Sequence, residues 1–231
     1  MAHPRPDTVA IVSAYRESER LPATLRGVRE AFPGARILVA DDGSRDATGH
    51  VALQEGAELV RAPLTVGKGG AMTLAAERVL ALALEPDAPV FVLCDGDLGE
   101  SASRLRPLAD AVRAGGLDLA IARFQTKVGG GLGFAVGFSR WATRRLAGLE
   151  LEAPISGQRA LRGELLPVVV PFAPRFGMET AMNVDAARAG FRVGEIELDL
   201  SHRATGRTPR GFLHRARQLR DFVAVYLARR Y

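Results

Sequence analysis

The sequence predicts an α/β protein with a mainly parallel central sheet and helices on both faces. Three observations carry that reading. Short apolar runs alternate with helical periodicity through residues 9–122, the pattern of βαβ units. The first run, Val9–Val12, and the fourth, Val90–Cys94, are apolar throughout instead of every second residue, as strands covered on both faces require. Polar and glycine-rich residues follow each run directly, and in such sheets ligands bind beyond the carboxyl ends of the strands.

The elements follow in order. Val9–Ser13 is an apolar run and reads as a buried strand. Glu17–Ala31 has helical spacing, with Leu21, Leu25, Val28 and Phe32 on one stripe and Pro33-Gly34 as the stop. Arg36–Ala40 is the second strand. Asp46–Gln54 is helical, with Ser44 or Asp46 as the expected cap. Ala57–Arg61 is the third strand, and Gly70–Leu84 an alanine-rich helix. Pro89–Cys94 is the fourth strand. Ser103–Ala114 is a helix closed by Gly115-Gly116, and Leu117–Ala122 the fifth strand.

The second half is less regular. A glycine-rich loop, 129–133, precedes a helix at Phe138–Leu146. Ile155–Ala160 reads as strand or turn, with a helix near Gly163–Val168. Glu179–Ala189 is helical and closed by Gly190. Val193–Leu200 alternates like an edge strand. The last helix, 211–229, carries an apolar stripe of Phe212, Ala216, Leu219, Val223 and Tyr226. Arg210, Arg215, Arg217 and Arg220 lie beside or opposite it. Such a helix suits an anionic membrane surface or a terminal helix packed on its own domain.

Composition narrows the function. With 47% hydrophobic and 25% charged residues in 231, the chain has ample material for a core and is not disordered. One cysteine, Cys94, excludes a disulfide scaffold. Its apolar run marks it as core, not nucleophile. The longest uncharged stretch, Val128–Ser139, has 12 residues and five glycines, too short for a membrane span. No signal-type segment precedes the first strand, so the expected location is the cytoplasm. The net charge of +5 is uneven: residues 201–231 hold eight arginines and one acid, and the rest sums to −2. A basic tail suits an anionic partner. No aromatic-rich motif accompanies it, so nucleic acid is not expected.

Four loops after strands carry the candidate chemistry. Asp95-Gly96-Asp97 sets two carboxylates at a strand end, suited to a hard cation such as Mg²⁺ or Mn²⁺ on a diphosphate, or to a polar turn. Asp41-Asp42-Gly43-Ser44 is a turn and cap, or a carboxylate for a nucleobase or ribose. Gly67-Lys68-Gly69-Gly70 precedes a helix; glycine, lysine and helix N-terminus together suit phosphate. It is not a P-loop, since Ala62 stands where that motif needs glycine and Gly69 follows the lysine. The first βα turn, SAYRES, has no glycine, which argues against a dinucleotide-binding enzyme and a nucleotidyltransferase.

The ordered set Tyr15-Arg16-Glu17, DDGSRDAT, GKGGAM and DGD is similar to family 2 glycosyltransferases of the GT-A fold. It most resembles the dolichyl-phosphate mannosyltransferase, or polyprenyl-phosphate sugar transferase, group. Arg144–Gly148, Ser156–Ala160 and His202–Thr208 extend the resemblance along nearly the whole chain. It implies one GT-A domain over 1–231, with a nucleotide-sugar half, 1–122, and an acceptor half, 123–231. It implies a donor site at Ala14, Tyr15, Glu17, Asp42, Lys68 and Asp95, and a metal held by Asp95 and Asp97. Arg123, Arg159, Arg203 and Arg207 match positions for an acceptor phosphate or the leaving diphosphate, which guanidinium groups suit.

Three departures stand out: Ala153 replaces an aspartate, Gln158 an aromatic residue, and Gly99 a third polar ligand of the DGD run. His202 is the candidate to supply that ligand. A lipid-phosphate acceptor is already an anion and needs no base. A hydroxyl acceptor needs one, and Glu179 is the candidate, ahead of Asp185. The expected function is inverting transfer of a sugar from a UDP- or GDP-sugar to polyprenyl phosphate, with the protein peripheral on the membrane's inner face. The rivals are a soluble hydroxyl acceptor, such as a sugar or phosphoglycerate, and a non-catalytic nucleotide-sugar binder.

Overall fold

The computed structural model describes residues 6–125, 134–200 and 209–231. One seven-stranded sheet organises them, in the order β3-β2-β1-β4-β6-β5-β7. The strands are β1 (Thr8–Ala14), β2 (Arg36–Asp41), β3 (Glu58–Arg61), β4 (Val90–Asp95), β5 (Leu119–Phe124), β6 (Arg159–Leu161) and β7 (Val193–Leu198). Those from β1 to β4 pair in parallel, as do β5 and β7. Only β6 runs against its neighbours, β4 and β5. The sheet is therefore mainly parallel, as the sequence predicts, and β7 lies at its edge.

The helices are α1 (Leu21–Ala31), α2 (Thr48–Gln54), α3 (Lys68–Ala83), α4 (Arg106–Arg113), α5 (Phe134–Ala147), α6 (Leu166–Val169), α7 (Met178–Arg188) and α8 (Pro209–Arg229). Alternate side chains of the strands enter opposite cores. Ala10, Val12, Val92 and Ala120 face Leu21, Leu25 and Val28 of α1 and Leu108 and Val112 of α4. Val9, Ile11, Phe91 and Leu93 face Met72, Ala75 and Val79 of α3 and Met178 and Met182 of α7. Cover on both faces is why these strands carry unbroken apolar runs.

Several boundaries differ from the expected ones, each for a local reason. α1 starts at Leu21, with Pro22 in its first turn, after a turn in which Leu21 N–H donates to Glu17 O at 2.8 Å. The expected Ser103–Ala114 helix splits into a 3₁₀ segment, Gly99–Leu105, and α4, with a proline at the start of α4. α2 starts at Thr48 without a side-chain cap on its first residue. Asp46 instead accepts from Thr48 N–H at 3.2 Å, while Ser44 Oγ accepts from Arg16 N–H at 2.9 Å.

α8 packs on its own domain. Phe222 and Val225 are its buried apolar residues among those described, so the buried stripe differs from the expected Leu219–Val223–Tyr226 line. Arg229 grips Asp185 with two hydrogen bonds of 2.6 Å, which assigns Asp185 to an ion pair. Tyr226 stacks near Trp141 and Phe138 of α5. The 129–133 loop and Phe212 and Ala216 of the stripe lie outside the described side chains.

Candidate active site

Parallel pairing puts the carboxyl ends of β1, β2 and β4 side by side. Ser13 stands in register with Asp95, and Ala14 with Asp41. The loops singled out in the sequence therefore open on one edge of the sheet. Chain reversal in β6 adds a fifth segment, because its amino end, residues 156–158, arrives where β4 ends.

Asp95 is the centre. Its Oδ1 accepts from Ser13 Oγ at 2.9 Å and from Lys68 Nζ at 2.5 Å. Its Oδ2 accepts from Gln158 Nε2 at 3.1 Å, and its own N–H donates to Gln158 Oε1 at 3.1 Å. Lys68, first residue of α3, also reaches Glu179 Oε1 at 2.8 Å, at the first turn of α7. Three expected site residues on three elements thus form one ion cluster. Burial acts to raise the Asp95 carboxyl, but Lys68 and the hydrogen bonds of Gln158 and Ser13 leave it below its ordinary value. Burial acts to lower the Lys68 ammonium, yet Asp95 and Glu179 together hold it above its usual range. The lysine is fully charged at neutral pH.

Glycines make that meeting possible. Any Cβ on Gly157 would collide with the Asp95 carboxylate and stand 2.5 Å from Lys68 Nζ. Gly67 caps α3 at φ 88°, a conformation that glycine adopts freely. A Cβ on Gly69 would overlap the Ala173 carbonyl. The GKGG run is thus needed to seat α3 against residues 173–175.

Asp42 organises the same loop. Its carboxylate accepts from Val66 N–H at 2.7 Å and Gly67 N–H at 2.9 Å, and its N–H donates to Ala14 O at 3.0 Å. Burial raises the Asp42 carboxyl, the two N–H donors lower it, and Asp41 raises it, with a net rise. Tyr15 is exposed at the rim beside Arg16, whose φ is 58°. Glu17 N–H donates to Thr48 Oγ1 at 2.9 Å, fastening the β1 loop to α2.

Asp97 lies partly exposed past the end of β4 and lines an open cleft with Arg20, Arg26, Glu100, Arg104 and Asp199. Among the described residues no group of three His, Cys, Asp or Glu is gathered for a metal. Asp95 and Asp97, two positions apart, are oxygen donors of the kind a hard divalent cation takes, with Asp95 turned to the Lys68 cluster and Asp97 to the cleft. Cys94 is buried, and burial and the Asp95 charge push its thiol far up. It is core, as expected.

Of the expected acceptor arginines, the two described, Arg123 and Arg159, are each held by other partners. Arg159 is fully buried: its guanidinium donates to Ser156 O at 2.8 Å, Asn183 Oδ1 at 2.6 Å and Pro154 O at 2.9 Å. Burial pushes it down to about 10. It braces the chain before β6 and presents no donor to a phosphate. Arg123 is tied to Glu152, at 2.8 Å, and to Glu197. His202, Arg203 and Arg207 lie outside the described residues. Ser13, Gly157 and Gln158 are site-forming residues without an assigned role in the sequence reading. Their signal was position: Ser13 closes a strand, Gly157 belongs to the Ser-Gly pair of the family-like segment, and Gln158 stands where that segment departs from the pattern.

Residues 9–152 match the family described as Glycosyl transferase family 2. The chain belongs to that family. This glycosyltransferase is 32% identical over 214 residues to the undecaprenyl-phosphate mannosyltransferase of Micrococcus luteus, covering 86% of this chain and 85% of the relative. It is 28% identical to the polyprenol monophosphomannose synthase of Mycolicibacterium smegmatis, covering 88% and 80%. The likeness to polyprenyl-phosphate sugar transferases therefore holds. Its fold matches the glucosyl-3-phosphoglycerate synthase of Mycobacterium tuberculosis, solved with Mn²⁺, UDP-glucose and phosphoglyceric acid. That match has a TM-score of 0.75 at 24% identity, over 97% of this chain and 79% of the other. The expected GT-A fold is thus the fold of this glycosyltransferase.

Proposed function

We propose that the protein transfers a sugar from a nucleotide-diphosphate sugar to a polyprenyl phosphate, with inversion and with a divalent cation. The observation that carries the choice of acceptor is the Glu179–Lys68 ion pair of 2.8 Å. Glu179 is the candidate base, and its carboxylate is committed to an ammonium that Asp95 also holds. That contact turns Glu179 Oε1 to an ammonium and not to an acceptor hydroxyl, which a general base must reach. A phosphate acceptor is an anion at neutral pH and has no proton to give up. The names of the two relatives agree with that class of acceptor.

A phosphate oxygen of the acceptor attacks the anomeric carbon opposite the diphosphate. The new carbon–oxygen bond forms as the bond to the diphosphate breaks, and the electron pair leaves with the nucleoside diphosphate. Lys68 supplies positive charge at the amino end of α3, where backbone N–H groups also face an anion. Asp42 holds the 66–67 loop that carries it. A bound Mg²⁺ or Mn²⁺ at Asp97 and Asp95 would neutralise charge gathering on the leaving diphosphate.

No helix among the described residues is long and apolar enough to cross a membrane. Surface contact fits the exposed Trp141 and Leu227, on two helices rich in arginine. The test offers labelled UDP-glucose and GDP-mannose with Mn²⁺, Mg²⁺ or chelator, and undecaprenyl phosphate or 3-phosphoglycerate. The expected result is metal-dependent label in the butanol-extractable lipid. Label in the water-soluble product instead would overturn the lipid acceptor. Turnover with neither acceptor, from protein that binds a nucleotide, would favour the non-catalytic reading.

A further inference from the structure

Gln158 is 2% exposed, and both polar atoms of its amide meet the same residue. Oε1 accepts the Asp95 N–H and Nε2 donates to Asp95 Oδ2, each at 3.1 Å. The two bonds close a ring. Turning the amide over would set NH₂ against N–H and C=O against carboxylate, so its orientation is dictated.

We propose that Gln158 is the positioning residue of Asp95. It keeps Lys68 on one carboxylate oxygen and preserves an acceptor position on the other for the donor or its cation. This rests on the glycosyltransferase reading and adds a residue to it. A carboxylate offers about four lone-pair positions. Ser13 and Lys68 occupy those of Oδ1. Gln158 takes one on Oδ2 and leaves one. An apolar residue at 158 would leave the Asp95 N–H without its partner. It would also free the carboxylate to rotate and take the Lys68 ammonium with both oxygens, which would close the site to a ligand.

The test uses Gln158→Met, which keeps the volume and unbranched shape but makes neither hydrogen bond. Melting of the full chain is followed against Mn²⁺ concentration at saturating UDP, and separately at saturating GDP. Without ligand the variant should melt within a few degrees of the natural protein. The Mn²⁺ concentration for half-maximal stabilisation should rise roughly 10–100-fold, the usual effect of removing a partner of a metal-site carboxylate. An unchanged Mn²⁺ midpoint would overturn the proposal, because it would make Gln158 a packing residue only. Should Gln158→Met fail to fold, Gln158→Asn keeps the amide one methylene short of Asp95. It should show the same rise, and a natural midpoint there also refutes the clamp. If the natural protein is stabilised by neither nucleotide with Mn²⁺, the proposed metal-dependent use of a UDP- or GDP-sugar fails, and the clamp with it.

Discussion

Gly157 lies so close to Lys68 that a Cβ on it would stand 2.5 Å from the ammonium nitrogen. The glycine is thus a steric condition of the Lys68–Asp95 pair, and Gly157→Ala tests it. The obstructed atoms are the far ends of side chains, which can move, so the fold should survive. The ion pair should not. We expect a melting temperature within a few degrees of the natural protein and at least tenfold weaker Mn²⁺-dependent binding of UDP and GDP. Calorimetric titration checks it; undiminished binding would show that Lys68 and Asp95 do not act together on the donor.

Glu179 and Lys68 should differ in effect. If the acceptor is a phosphate, Glu179→Gln removes a partner of Lys68 but no base. Transfer should then slow by roughly tenfold or less, short of the 10²–10⁴-fold loss typical of a missing general base. Lys68→Met removes the positive charge held between Asp95 and Glu179, the charge proposed to act on the diphosphate, and leaves those carboxylates facing each other. It should cost more, on the order of 10²-fold. Steady-state rates with undecaprenyl phosphate decide the order. A larger loss for Glu179→Gln would restore the hydroxyl-acceptor chemistry.

The placing of the loops after β1, β2 and β4 was legible because its signals are local. A strand followed at once by Asp95-Gly96-Asp97 or by Asp41-Asp42 places those carboxylates at one sheet edge whatever the packing, given parallel strands. The arrival of residues 157–158 beside Asp95 was not legible for a topological reason. A three-residue strand, β6, carries no period long enough to show its direction, and its antiparallel entry brings 157–158 to Asp95. The same entry buries Arg159. An arginine in a polar stretch reads as a surface cation, and nothing local reveals that two backbone carbonyls and Asn183 receive it.

Asp118 should govern part of the acid stability. Its carboxylate accepts from Arg192 Nε at 2.9 Å, Arg192 N–H at 2.9 Å and Arg162 Nη1 at 3.1 Å. These tie the start of β5 to the start of β7. The Arg192 guanidinium holds the carboxyl far below its usual range, against burial, with help from the Arg192 N–H and Arg162. A depressed carboxylate contributes stability above its unfolded value, about 3.9, and loses it as pH falls toward the folded value. Asp118→Asn should therefore cost about 2 kcal/mol at pH 7, seen as a lower melting temperature. The gap should stay constant down to about pH 5 and narrow below about pH 4. A gap independent of pH would mean that the charge contributes nothing.

Arg159→Met separates bracing from acceptor binding. The substitution leaves Asn183 Oδ1 and the carbonyls of Ser156 and Pro154 without the donor they share. Each lost partner costs about 1–3 kcal/mol, offset in part because a buried charge is also removed. A net loss of roughly 2–4 kcal/mol should lower the melting temperature by roughly 5–15 °C for a chain of this size. Because the guanidinium faces inward, the variant that remains folded should keep the natural KM for undecaprenyl phosphate. A KM raised tenfold or more without loss of stability would return Arg159 to the acceptor site, and would require the chain before β6 to rearrange when lipid binds.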